Sequence, residues 1–99
     1  MIAVIVSFGD ATTADIYDGN DTKVARKVSP ALWPRVQRKL DLLNACTSLN
    51  DLRVPPANRL EKLRGDLRDY YSIRVNEQYR IIFRFAKGDC EGVRCVDYH

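Results

Sequence analysis

The stretch Tyr71-Ser-Ile-Arg-Val-Asn-Glu-Gln-Tyr-Arg-Ile-Ile-Phe-Arg-Phe85 decides the fold. Two runs rich in β-branched and aromatic residues, 70–75 and 79–85, flank the polar Asn76-Glu77-Gln78 and read as a hairpin. Apolar side chains occupy Tyr71, Ile73 and Val75 on the first strand and Tyr79, Ile81, Phe83 and Phe85 on the second. Cross-strand neighbours share a face, so these odd-numbered positions must oppose one another. A three-residue loop achieves this and pairs Ile73 with Ile81. Arg74 then stands opposite Arg80 on the other face, with Arg84 further along it. Two arginines directly across a strand pair repel unless something answers them. Neighbouring carboxylates are one answer, and a phosphate held on a rigid sheet face is the other.

Working outward, residues 59–63 read as a short strand and Gly65-Asp66 starts a turn. Residues 88–92 read as a second turn, and 93–98 as the closing strand. Towards the N-terminus, Pro55-Pro56 forbids a long helix across 47–58, leaving an irregular connection with a short turn at 49–52. Ser29-Pro30 opens a helix of about four turns ending near Cys46, with Leu32, Val36, Leu40 and Leu43 on one stripe. Arg35, Arg38 and Lys39 point elsewhere, towards solvent, nucleic acid or an acidic partner helix. Residues 18–29 form a polar connection. A short helix before it takes Asp10 or Thr12 as N-cap and stops at Gly19. Ile-Ala-Val-Ile-Val-Ser-Phe at 2–8 reads as a strand buried on both faces at its start.

Ninety-nine residues allow one domain, spanning 1–99. With 45% hydrophobic and 29% charged residues, the chain falls in the ordinary globular range. The longest apolar run stops at Ser7, far short of the roughly 20 residues that span a bilayer. It also lacks the basic start of a secretory signal. The expectation is a cytoplasmic protein without membrane association. Cys46, Cys90 and Cys95 form no CxxC pair, which points to free thiols rather than a disulfide framework or a metal centre. Residues 1–22 carry four aspartates and no basic residue, so the remaining chain holds all sixteen Lys and Arg against nine acids. Eleven of the sixteen are arginine, the side chain suited to bidentate phosphate contact. A polyanionic partner and a solvated, salt-bridged surface both account for that balance.

Asp97-Tyr98-His99 places a carboxylate, an aromatic plane and an imidazole directly after a strand. Imidazole exchanges protons near neutrality without any help from its surroundings. Phosphodiester cleavage uses such parts: arginines for charge on the phosphorane, groups to move two protons, and an aromatic surface for a base.

Asn58-Arg-Leu-Glu-Lys-Leu-Arg-Gly-Asp66, the hairpin 71–85 and Val96-Asp-Tyr-His99 together resemble HigB-type toxins of the RelE/ParE superfamily. The preceding Leu49-Asn-Asp-Leu-Arg-Val-Pro-Pro56 is similar to the same family, and so is Val6-Ser-Phe8. The match is specific over 49–99 and loose elsewhere. The resemblance implies an α+β, RelE-like fold, with N-terminal helices packed on a curved, mostly antiparallel sheet. It implies an mRNA endonuclease acting on the 70S ribosome, in which the RNA 2′-hydroxyl attacks the adjacent phosphate without metal or cofactor. The partner it implies is a helix-turn-helix antitoxin of HigA type.

Residue by residue, Arg80 matches the family's phosphate-binding arginine, and Arg64 matches a basic position usually held by lysine. Asp97, Tyr98 and His99 match the terminal catalytic segment. Glu61 stands where some members carry histidine, which leaves it as a base, an antagonist, or an ion-pair partner of Arg64 or Arg80. Lys62, Arg74 and Arg84 complete the expected RNA-binding set. Two other readings fit the same fold: a ParE-like toxin that poisons DNA gyrase by contact, and a catalytically inactive RNA- or partner-binding module.

Overall fold

Strand pairing follows the parity of the apolar residues. The protein, examined as a computed structural model that describes residues 3–98, pairs β2 (Tyr71–Arg74) antiparallel with β3 (Tyr79–Ala86). Ile73 faces Ile81 and Arg74 faces Arg80, as the three-residue loop requires. Asn76 closes that loop: its Oδ1 accepts the backbone N–H groups of Gln78 and Tyr79 at 2.9 and 2.7 Å. Short β1 (Glu61–Lys62) lies outside β2, and β4 (Asp89–Asp97) lies beyond β3, giving the sheet order β1-β2-β3-β4.

The turn into β4 differs from the sequence expectation of a turn across 88–92. Lys87 and Gly88 alone make it, with φ of 54° and 81°, and Ala86 pairs directly with Asp89. Positive φ at both central residues is the backbone of a type I′ hairpin turn, whose twist suits the flanking strands. Gly92 sits inside β4, where the register shifts between Ile82 and Arg84. Its φ of 63° accommodates a bulge that bends the sheet. Both glycines carry positive φ, Gly88 in the turn and Gly92 in a bulge, which makes the same demand within a strand.

Residues 3–9 run parallel to β4 as an irregular edge, through bridges Ile5–Cys90 and Phe8–Val93. Ala3 is buried, but Val4 and Val6 are 45% and 54% exposed. Ile2 lies outside the described residues; from Ala3 onward the expected double burial gives way to alternation, because the segment lies on the sheet's edge.

Helix α1 (Ala11–Asp18) starts where Asp10 caps Thr13 N–H at 2.8 Å and ends at left-handed Gly19. The second helix is shorter than expected. Pro34 has no N–H to give the Pro30 carbonyl, which Trp33 takes instead, so Pro30–Leu32 is a 3₁₀ turn and α2 spans Trp33–Leu43. Its stripe of Val36, Leu40 and Leu43 is buried with Ile16 of α1 against the odd-numbered sheet face, where Ile73, Ile81, Phe83 and Val93 are also buried. Buried Thr13 Oγ1 accepts the Cys95 N–H at 2.8 Å and ties α1 to β4. All three cysteines are free and buried, and desolvation pushes the thiols of Cys90 and Cys95 up to about 12.

The loop after α2 is organised by one side chain. Asn58 is fully buried, donates to the carbonyls of Leu52 and Val54, and accepts from Lys39 Nζ. It holds 52–58 as a compact unit, so that Arg59 enters β1 from a left-handed backbone with φ of 46°. No helix among the described residues is long and apolar enough to cross a membrane.

Candidate active site

The helices cover the odd-numbered face of the sheet, and the even-numbered face carries buried Ser72 and Ile82 beside Arg80. Arg80, the second residue of β3, lies next to the β2–β3 loop and is only 8% exposed. A guanidinium this far from water must be hydrogen-bonded to persist. Its Nε donates to Ser72 Oγ at 2.8 Å and its Nη2 to the Arg59 carbonyl at 2.5 Å. Hydrogen bonds to a charged group contribute about 1.5–3 kcal/mol each, enough to fix the side chain in one orientation. Among the described residues, the third nitrogen, Nη1, is met by Glu61 Oε1 at 3.9 Å, beyond hydrogen-bond range.

Two further residues frame that nitrogen. Tyr98 N–H donates to the Gln78 carbonyl at 2.7 Å, continuing the β3–β4 pairing past the last ladder pair, Tyr79–Asp97. That extension puts the Tyr98 ring on the Arg80 face, with its centroid 5.6 Å from Arg80 Cζ. The ring is 47% exposed, so one side of it remains open. Arg74 lies directly across from Arg80 and is steadied by the Asn76 carbonyl at 3.1 Å. Arg59, Glu61, Arg74, Glu77, Arg80 and Tyr98 all line one cleft of about 270 Å³. Among the described residues, the repulsion between the paired arginines is answered by one long ion pair, to the exposed Glu61.

The remaining expected site residues are spread over the sheet. Arg84 is beyond the bulge, stacked 5.7 Å from the Tyr70 ring and paired to Glu91 at 3.2 Å. Arg64 is exposed just after β1. Lys62 pairs with Tyr71, and its ammonium lies 5.0 Å from that ring, on the opposite face from Arg80. Asp97 is also turned from Arg80. It pairs with Tyr79 and accepts from the Gln78 amide at 3.0 Å, and its charge, after burial, raises the Tyr79 hydroxyl above its ordinary value. Both fall on the wrong side for one reason: side chains alternate along a strand, and each is one residue from a neighbour on the Arg80 face. His99 lies outside the described residues.

Sequence reasoning missed two contributors. Ser72 was legible by parity, since it shares the even-numbered face with Arg80. The Arg59 carbonyl was not legible, because a main-chain acceptor carries no mark of its role. Among the described residues, no group of three or more His, Cys, Asp or Glu side chains is placed to hold a metal ion.

Two helices packed on one face of a four-stranded antiparallel sheet form a fold that solved toxin structures share. The YoeB–YefM complex from Staphylococcus aureus superposes with a TM-score of 0.56 at 16% identity, over 100% of this chain and 99% of the matched one. The family model for HigB-like toxins, described as the RelE-like toxin of the type II toxin–antitoxin system HigB, matches residues 4–99. This chain belongs to that family. It is 40% identical over 83 residues to Toxin HigB-1 of Vibrio cholerae, covering 84% of this chain and 85% of that protein. It is 32% identical over 65 residues to Endoribonuclease HigB of Proteus vulgaris, covering 66% and 70%.

Proposed function

We propose that this toxin is an endoribonuclease that cleaves messenger RNA on the ribosome, in the cytoplasm, through the cleft around Arg80. The observation that carries the reading is the setting of Arg80: two nitrogens are clamped by the fold, the third has Glu61 at 3.9 Å, and the residue lines the cleft. A phosphate oxygen at Nη1 would meet a donor already oriented, and such preorganised donors are worth most where charge develops in the transition state.

In the proposed reaction the RNA 2′-oxygen forms a bond to the adjacent phosphorus and the P–O5′ bond breaks. The products are a 2′,3′-cyclic phosphate and a 5′-hydroxyl. Arg80 holds the non-bridging oxygen, and Arg74 adds charge from the facing strand. Glu61, already beside Arg80, takes the 2′-proton. Proton delivery to the leaving 5′-oxygen is assigned to His99, the residue after Tyr98. The open face of Tyr98 stacks a base next to the scissile bond.

The Proteus relative's designation as an endoribonuclease supports this chemistry. The structural neighbour's complex with YefM supports an antitoxin partner, here of helix-turn-helix, HigA type. Ribosome dependence follows from the shallow cleft, which holds few groups to position a flexible strand and gains from substrate held in place by another body. Single-turnover cleavage of one message, free and bound to 70S particles, tests it. The expected result is faster cleavage on the ribosome by at least tenfold. Equal rates would make the protein a self-sufficient nuclease, and absence of cleavage in both would remove the reading altogether.

A further inference from the structure

The cleft is not the largest depression on the molecule. Between α2 and the β2–β3 loop runs a groove of about 700 Å³, against about 270 Å³ for the cleft. Leu42, Ala57 and Val75 give it an apolar floor, and Arg35, Arg38 and Lys39 line its α2 side. Arg74, Asn76 and Glu77 line both depressions, so groove and cleft meet at the hairpin loop.

The charges in the groove are poorly balanced. Four cationic side chains, including Arg74, face two carboxylates, Asp41 and Glu77. Asp41 is also engaged elsewhere, accepting from the Tyr17 hydroxyl at 3.2 Å. Arg35 and Arg38, together with partial burial, hold the Lys39 ammonium below its ordinary range, burial being the larger cause. Arg35 lies one turn from both Arg38 and Lys39, and like charges at that spacing on a helix repel. A polyanion laid along them would relieve that repulsion, and an apolar floor beneath a cationic rim suits nucleotides, each with a flat face and a phosphate.

We infer that this groove is the path of the RNA strand beyond the scissile phosphate, with flanking phosphates at Arg35 and Arg38 and flanking bases over Leu42 and Val75. The inference rests on the proposed RNA-cleaving reading and adds a second site to it. Asn58 couples the two places physically, because it accepts from Lys39 on the groove side and sets the loop that presents Arg59 to Arg80.

The test uses uncleavable 2′-O-methyl RNA, a trinucleotide and an octanucleotide, bound to the full chain and to the double variant R35E/R38E over a range of salt. The wild type should gain at least about tenfold in affinity from the shorter to the longer oligonucleotide, and the double variant should lose most of that gain. Its salt slope for the octanucleotide should fall by about 1.4, at about 0.7 per phosphate contact on a single strand. Both side chains are exposed, and matching thermal melts establish that the variant folds. A wild type that cleaves RNA but shows no gain with length overturns the groove alone. Retained RNA affinity with loss of the co-expressed antitoxin overturns it in favour of a protein interface. A wild type that neither binds nor cleaves RNA removes the reading beneath it as well.

Discussion

The two faces of this sheet are made by the same strands and do opposite work. Odd-numbered Ile73, Ile81 and Phe83 are fully buried under the helices. On the even-numbered face Ile82 is buried too, but beside it Ser72 and Arg80 are nearly inaccessible while polar and hydrogen-bonded to each other. Burial on one face supplies stability through apolar area. On the other it supplies orientation, since a clamped guanidinium cannot swing away from its target. Low exposure alone does not separate core from site; the chemistry of what is buried does.

Truncation on the core face should show the largest effect. Phe83→Ala removes a fully buried ring and should cost about 3–5 kcal/mol of stability in denaturant unfolding. A loss below about 1 kcal/mol would mean that the helices do not pack as described. Arg80→Ala comes next and should act mainly on rate, with cleavage falling a hundredfold or more, about 2–4 kcal/mol. It should also destabilise by about 1–3 kcal/mol, because buried Ser72 loses its partner. Arg80→Lys should recover only part of the rate, since one ammonium cannot reproduce three directed nitrogens.

Tyr98→Ala should slow cleavage by about ten- to a hundredfold, the worth of one stacked base, with little change in melting because the ring is half exposed. Tyr98→Phe should retain most activity; a collapse to the alanine level would assign the hydroxyl, rather than the ring, to the chemistry. The smallest effects should come from the two residues that alternation turns away. Lys62→Ala and Asp97→Asn should change cleavage by less than about twofold, within the roughly 0.5 kcal/mol typical of surface positions. A loss from either comparable with that of Arg80→Ala would break the division between the faces.

The hairpin was legible because its signal is strictly local. Parity and loop length fixed the Ile73–Ile81 and Arg74–Arg80 pairs with no knowledge of the rest. The two helices were legible from Asp10, Gly19 and the Val36-Leu40-Leu43 stripe, although Pro34 shortened the second. What escaped depends on neighbours distant in sequence. The edge position of residues 3–9 follows from β4, the bulge at Gly92 from strand curvature, and the Arg59 carbonyl from the Asn58 loop. Within the site, the types of residue were readable but their sides were not always. Lys62 and Asp97 were grouped with Arg80 by resemblance along the chain, and only the register separates them.

The central claim, that Arg80 and its cleft cut RNA, is tested most directly by mapping RNA 5′ ends in cells after brief expression of the wild type and of Arg80→Ala. The expected result is a set of new 5′-hydroxyl ends within translated messages for the wild type, absent for a variant shown to be folded. Growth arrest without new RNA ends, accompanied by DNA breaks and undiminished in the variant, would contradict it and identify a toxin that acts on gyrase.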